Sequence, residues 1–226
     1  DAAAYANVRR FLNDGMLPPP DAVRLEEMIN YFDYQYNVPR SQHPFELYTE
    51  VAPCPWEPRH KLLLIGLQGK TMDTGQLPAA NLVFLVDVSG SMNDPDKLPL
   101  VQQSLSLLTE QLRPNDRVAV VVYACAAGLV LESTPGADKS KIKAAIENLQ
   151  AGGSTAGGEG IRLAYATARK NFIPNGNNRV VLCTDGDFNI GVSSNADMTK
   201  LIEENRNKGV FLTVLGFGMG NYKDDR

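Results

Sequence analysis

The sequence predicts an α/β fold: a doubly wound, mostly parallel sheet with one antiparallel edge hairpin and helices on both faces. Three observations carry this expectation. From Lys61 onward, strand-like and helix-like segments alternate, as they do in βαβ units. Two strands, Leu82 to Val86 and Val180 to Leu182, are nearly continuous apolar runs, which is what burial on both faces requires. The helical segments between them repeat apolar residues at i, i+3, i+4 and i+7, giving each one face to lay on a sheet.

The elements follow in order. KLLLIGL from Lys61 reads as a first strand and NLVFLVD from Asn81 as a second. Next comes a helix in which Val101, Leu105, Leu108 and Leu112 share a face, with Pro114 after its end. RVAVVVY from Arg117 and GLVLE from Gly128 are close enough in sequence to form the hairpin. Two helices carry Ile142, Ala145, Ile146 and Leu149, then Ile161, Ala164, Ala168 and Phe172. The strand RVVLCT, a polar helix with Leu201 and Ile202, and the strand VFLTVLGFG close the pattern.

Residues 1–60 read as a separate helical and proline-rich extension, and 61–226 as the α/β domain. The extension has a helix around Ala4 to Asn13, a break at Pro18 to Pro20, and a second helix from Asp21. Leu25, Met28, Ile29 and Phe32 form an apolar face on that second helix and need a surface to cover. From Asn37 to Pro58, prolines and aromatics dominate. This suits an extended strap with Trp56 as its anchor better than a regular helix.

Bulk composition removes several function classes. With 226 residues, 43% of them hydrophobic, the chain can bury one main core beside an appended segment. Twenty-two Lys and Arg against 26 Asp and Glu give a net charge of -4, without the basic footprint that nucleic acid favours. No apolar run is long enough for a direct membrane span in this chain. Cys54, Cys125 and Cys183 are far apart and form no C-x-x-C pair, which argues against a disulfide framework or zinc knuckle. The chain begins at Asp1 without a signal-like stretch, and a leader or lipid anchor removed ahead of it is compatible with that start.

In an open α/β sheet, ligands bind beyond the carboxyl ends of the strands. Three polar stretches fall there: DVSGSM with Asp87, Ser89 and Ser91; GGSTAGGEG with Thr155; and TDGDFN with Asp185. Carboxylate and hydroxyl oxygens without a soft ligand suit a hard divalent cation. Two carboxylates neutralise such an ion and leave room for water and for the carboxylate of an incoming partner.

These motifs resemble the von Willebrand factor type A family, in which D-x-S-x-S, a later Thr and a later Asp form the metal-ion-dependent adhesion site. The resemblance runs from Ala80 to Gly218. It implies that Asp87, Ser89, Ser91, Thr155 and Asp185 bind one metal, magnesium first, with manganese or calcium as alternatives. It also implies a binding module, whose partner is a protein ligand supplying an Asp or Glu carboxylate. The family fold ordinarily closes with a further helix and strand, so the domain reads as C-terminally truncated at Arg226. The stretch from Thr49 to Lys70 resembles an extension found ahead of this domain in bacterial proteins, several exported or lipid-anchored. The expected location is therefore the cell envelope, with a lipid anchor on the full-length protein. The alternative is a cytoplasmic scaffold subunit of an AAA+ ATPase-associated assembly.

A rival class is a magnesium-dependent phosphohydrolase of the haloacid-dehalogenase kind. That chemistry needs an acid/base carboxylate two residues after the first Asp, and Ser89 stands there. No phosphate-binding G-x-x-x-x-G-K-[ST] loop is present, and neither His43 nor His60 follows a strand of the sheet. The expectation is therefore not an enzyme. Asp94 and Asp96 read as the start of the next helix, Glu159 as a first-turn residue, Asp187 and Asn189 as solvated loop residues, and Cys125 and Cys183 as buried thiols.

Overall fold

The computed structural model describes residues 3–39, 42–71, 74–124, 126–153, 157–186 and 195–218. They divide into two compact units, Asp1–Gly75 and Gln76–Arg226.

The first unit contains α1 (Ala3–Asn13), α2 (Leu25–Asn30), β1 (Phe45–Pro53) and β2 (Lys61–Gly69). The expected helix from Asp21 is split. Pro20–Ala22 forms a 3-10 turn, Val23 and Arg24 are extended, and α2 starts only at Leu25. Its apolar stripe is not what it buries, since Leu25, Ile29 and Phe32 remain exposed. Glu27 is buried instead, and its carboxylate accepts the Ala4 amide at 2.8 Å. That amide is one of the donors a helix start leaves without an internal partner. Tyr5 stacks on Tyr31 with ring centroids 3.8 Å apart and meets Phe32 edge-on, adding aromatic contact between α1 and α2.

The proline-rich segment also differs from expectation. β1 is a regular strand, paired antiparallel with β2 from Phe45↔Gly69 to Pro53↔Lys61. KLLLIGL is therefore half of a two-stranded sheet and not the first strand of the α/β domain. The prolines permit this because Pro44 precedes β1 and Pro53 ends it, outside the ladder interior where a missing N–H would matter. Trp56 is 76% exposed and anchors nothing. Tyr36 does the anchoring, stacked on Tyr48 at 4.8 Å and lying on Gly66, where an added Cβ would stand 2.4 Å from its ring.

The second unit is the expected sheet. Its elements are β3 (Ala80–Asp87), α3 (Leu98–Glu110), β4 (Arg117–Tyr123), β5 (Ala127–Pro135) and α4 (Lys139–Glu147), then α5 (Gly157–Lys170), β6 (Asn177–Thr184), α6 (Asn195–Asn207) and β7 (Val210–Gly216). The strand order is β5-β4-β3-β6-β7, parallel except for β5 at one edge. Alternation along β3 sorts the two cores. Leu82, Phe84 and Val86 pack with Leu105 of α3 and with Ile142 and Ile146 of α4. Val83 and Leu85 pack with Ile161, Ala164 and Tyr165 of α5, with Met198 and Leu201 of α6 alongside. On α3 the stripe shifts slightly from expectation: Thr109 is buried while Leu108 is 38% exposed.

Polar clamps fix the amino ends of these strands. Asp116 accepts the Ala80 amide at 2.8 Å, the Arg113 amide at 2.8 Å and the Arg113 guanidinium at 2.8 Å. Asn81 donates to the Ala168 carbonyl and to Asn178, and Asn178 bonds the backbone of Ile173. With the start of the sheet tied, strands of similar length end level with one another, and that positions the site.

Two predictions follow from this packing. A Cβ on Gly160 would stand 2.7 Å from Tyr123 Cβ, so Gly160→Ala should lower unfolding free energy by about 1–3 kcal/mol in a urea titration. At Asp116, burial would raise the carboxyl, but the Arg113 and amide bonds outweigh it and hold the group below its ordinary range. A carboxyl depressed in the folded state contributes stability above its unfolded value and loses it in acid. Stability of the wild type should therefore decline below about pH 4, and Asp116→Asn should flatten that decline.

Candidate metal centre

The site forms where β3, β4 and β6 end. Asp87 closes β3 opposite Tyr123 of β4, and Val86 stands opposite Cys183 of β6, one residue before Thr184 and two before Asp185. The ladder continues one residue further, with the Val88 amide donating to the Tyr123 carbonyl at 3.0 Å. The chain then doubles back. The Ser89 amide donates to Asp87 Oδ1 at 2.9 Å, and Met92 donates to the Ser89 carbonyl at 3.0 Å. An Asp side chain accepting an amide two residues on is a local turn device. Met92 is fully buried and pins the 3-10 turn Gly90–Asn93 to the core. The turn leaves the Ser89 and Ser91 hydroxyls 3.0 Å apart.

A second loop is sewn to the first through the backbone. The Gly152 amide donates to the Val88 carbonyl at 2.7 Å, and the Gly90 amide to the Gly153 carbonyl at 3.0 Å. Thr155, two residues on, lies outside the described residues, as do Cys125, Asp187 and Asn189. The third stretch leaves β6 through Asp185 and Gly186, whose φ of 98° is a left-handed conformation suited to glycine. Of the five residues expected to bind metal, the structure gathers Asp87, Ser89, Ser91 and Asp185 at the carboxyl ends of β3 and β6.

Charge dominates this cluster. Asp87 is fully buried and the Asp185 side chain is 1% exposed. Burial pushes the Asp87 carboxyl above its usual range and the neighbouring Asp185 charge adds to this, while bonds from Ser89 oppose it. Asp87 Oδ2 has no well-formed hydrogen bond among the described residues, although the Tyr123 hydroxyl lies near enough to join Ser89 in opposing the rise. Tyr123 ends β4 beside it, its hydroxyl pushed upward by burial and then by the Asp87 charge. An unsatisfied buried carboxylate oxygen is costly and is the kind of group a cation relieves.

One cation is already present. Lys97 Nζ stands 3.0 Å from Asp185 Oδ2, donates to the Ser91 carbonyl at 2.9 Å, and lies 3.7 Å from Asp94 Oδ2. Its ammonium is held above the ordinary lysine range by Asp185 first, against burial. Sequence reading passed over Lys97 because NDPDK looked like a helix start. In fact α3 opens on Leu98 with proline in its first turn, and Asp94 and Asp96 stand in the preceding turn. Glu159 does occupy the first turn of α5. Cys183 is a buried thiol, pushed up to about 12 by burial. The residues present fit a metal: the donors are all oxygen, and Asp87 Oδ2 is a buried carboxylate oxygen without a well-formed hydrogen bond among the described residues. Among the described residues no group of three His, Cys, Asp or Glu is placed to hold an ion. The Ser89 and Ser91 hydroxyls stand beside the two carboxylates, and oxygen donors of these two kinds would suit a hard ion.

Comparison with known proteins agrees with this architecture. Residues 1–64 match a family model described as von Willebrand factor, and residues 82–187 one described as von Willebrand factor type A domain. The uncharacterized protein YfbK of Escherichia coli (strain K12) is 46% identical over 231 residues, covering 99% of this chain and 40% of that protein. The chain thus spans less than half the length of this relative. An aerotolerance-related membrane protein from Bacteroides fragilis NCTC 9343 superposes with a TM-score of 0.52 at 25% identity, over 62% of this chain and 69% of that one. A von Willebrand factor type A structure from Catenulispora acidiphila aligns over 80% of this chain and 42% of its own, with a TM-score of 0.52 at 19% identity, and speaks to fold alone. By its sheet, its strand-end motifs and these matches, the chain is a bacterial protein of the von Willebrand factor type A domain family.

Proposed function

We propose that this domain is a metal-dependent protein-binding module, with one divalent ion held by Asp87, Ser89, Ser91, Thr155 and Asp185. An Asp or Glu of a partner protein would complete the coordination. The observation that carries this reading is the pair of buried carboxylates, Asp87 and Asp185, gathered with the Ser89 and Ser91 hydroxyls, with Asp87 Oδ2 lacking a well-formed hydrogen bond among the described residues. A dication would neutralise both, keep open positions for water, and remain electrophilic toward an incoming carboxylate. A phosphohydrolase reading is weaker, since Ser89 stands where an acid/base carboxylate would be needed and its hydroxyl is engaged with Ser91. The Bacteroides fragilis neighbour is described as a membrane protein, which favours a place for this chain in the cell envelope. No helix among the described residues is long and apolar enough to cross a membrane, so such a location would depend on association or on an anchor elsewhere.

Calorimetric titration of magnesium, manganese and calcium into chelator-stripped protein tests the reading directly. One ion should bind per chain, with binding lost in Asp87→Ala, Ser89→Ala and Thr155→Ala variants whose circular dichroism matches the wild type. Unchanged binding by folded Asp87→Ala would rule the site out.

A second measurement uses the cost of the metal-free state. Because the Asp87 carboxyl is held above its unfolded value, its ionised form at neutral pH opposes folding. Asp87→Asn should therefore unfold at a higher temperature than wild type in chelator. It should gain nothing from added magnesium, whereas the wild type gains.

A further inference from the structure

Lys97 occupies a position that no motif assigns. It is the residue immediately before α3, yet its side chain runs back to the ends of β3 and β6, with only 11% of it exposed. The stem lies on the backbone of Gly218, where an added Cβ would stand 2.7 Å from Lys97 Cε. The ammonium bonds the Ser91 carbonyl and the Asp185 carboxylate. A buried ammonium is costly unless paired, and Asp185 is the partner that holds it here.

We propose that Lys97 is a built-in competitor of the metal: its ammonium holds Asp185 when no ion is bound, stabilises the metal-free site, and lowers its affinity for divalent cations. The inference rests on the metal-binding reading above. Its sign follows from charge and does not depend on whether the lysine moves when the ion binds. Without metal, the ammonium bonds the buried Asp185 carboxylate and is attracted to Asp94 and Asp96, while Asp87 places a second buried charge beside Asp185. A bound dication brings that cluster to neutrality, so the attraction is lost if Lys97 stays, and its two hydrogen bonds are lost if it leaves. Either way, loading removes an interaction that a neutral side chain never had. At separations of a few ångströms in a partly dry site, the difference is worth about tenfold or more in affinity.

The test is magnesium calorimetry on the stripped 226-residue chain, comparing wild type, Lys97→Met and Lys97→Arg, with urea unfolding of each in chelator. Lys97→Met should bind one ion with a Kd about tenfold lower or better, while Lys97→Arg stays near wild type. The metal-free Lys97→Met chain should unfold more easily than wild type, and saturating magnesium should raise its midpoint by more. If Lys97→Met does not fold, Lys97→Gln keeps a hydrogen-bond donor without the charge and should show the same direction. Equal affinities in folded variants would overturn the competitor role and leave Lys97 as packing. Weaker binding by Lys97→Met would also overturn it, making Lys97 a positioning partner of Asp185. No binding by any folded form would overturn the metal reading itself, an outcome distinct from either of these.

Discussion

Two carboxylates buried at the same end of one sheet are the constraint around which the α/β unit is organised. Asp87 ends β3 and Asp185 directly follows β6, its parallel neighbour, and each is almost wholly withdrawn from water. Burial raises the proton affinity of Asp87, and the Asp185 charge adds to it. Nearby groups reduce this cost in distinct ways. The Ser89 amide bonds Asp87 Oδ1, and the Lys97 ammonium bonds Asp185 Oδ2. Asp87 Oδ2 is left over, and a site that retains such a cost in a marginally stable fold is a functional candidate.

Holding these groups together requires the rest of the unit. Buried parallel strands bring their carboxyl ends to one side, and the Asp116 and Asn178 clamps fix their starts. Helices on both faces exclude water from β3, so Asp87 emerges from a strand whose residues Val83 to Val86 are all fully buried. The loops contribute through backbone bonds more than through side chains. Gly152 and Gly153 are tied to Val88 and Gly90, which brings the segment leading to Thr155 against the D-x-S-x-S turn. Lys97 crosses the same space from the start of α3, so helix start, strand end and candidate metal ligands share one electrostatic neighbourhood.

The N-terminal unit follows different physics. Among its described residues there is no core cluster comparable to those of the sheet. A buried Glu27 caps α1, aromatic rings join α1 to α2, and Tyr36 lies on Gly66 of a two-stranded ribbon. Apolar residues on both strands of that ribbon, among them Leu47, Val51, Leu63 and Ile65, remain exposed. A two-stranded ribbon is marginal by itself, and tyrosine stacking supplies packing that a third strand would otherwise provide.

The sequence by itself determined the α/β class, the antiparallel edge hairpin, and Asp87, Ser89, Ser91 and Asp185 as strand-end oxygens. It could do so because periodicity of burial and residues ending an apolar strand are local properties of the chain. Thr155, expected from the glycine-rich loop ahead of α5, lies outside the described residues. Tertiary structure decided the rest. Whether Lys61–Gly69 joins the large sheet or pairs with Phe45–Pro53 depends on which strand lies beside it, and both choices present the same apolar pattern. Trp56 exposed and Tyr36 packed reverse the expectation that Trp56 anchors the proline-rich strap, because Gly66, lacking a Cβ, leaves room for the Tyr36 ring. Lys97 was invisible for the same reason. A lysine before a helix is ordinary in sequence, and only the approach of β6 brings Asp185 within 3.0 Å of its ammonium.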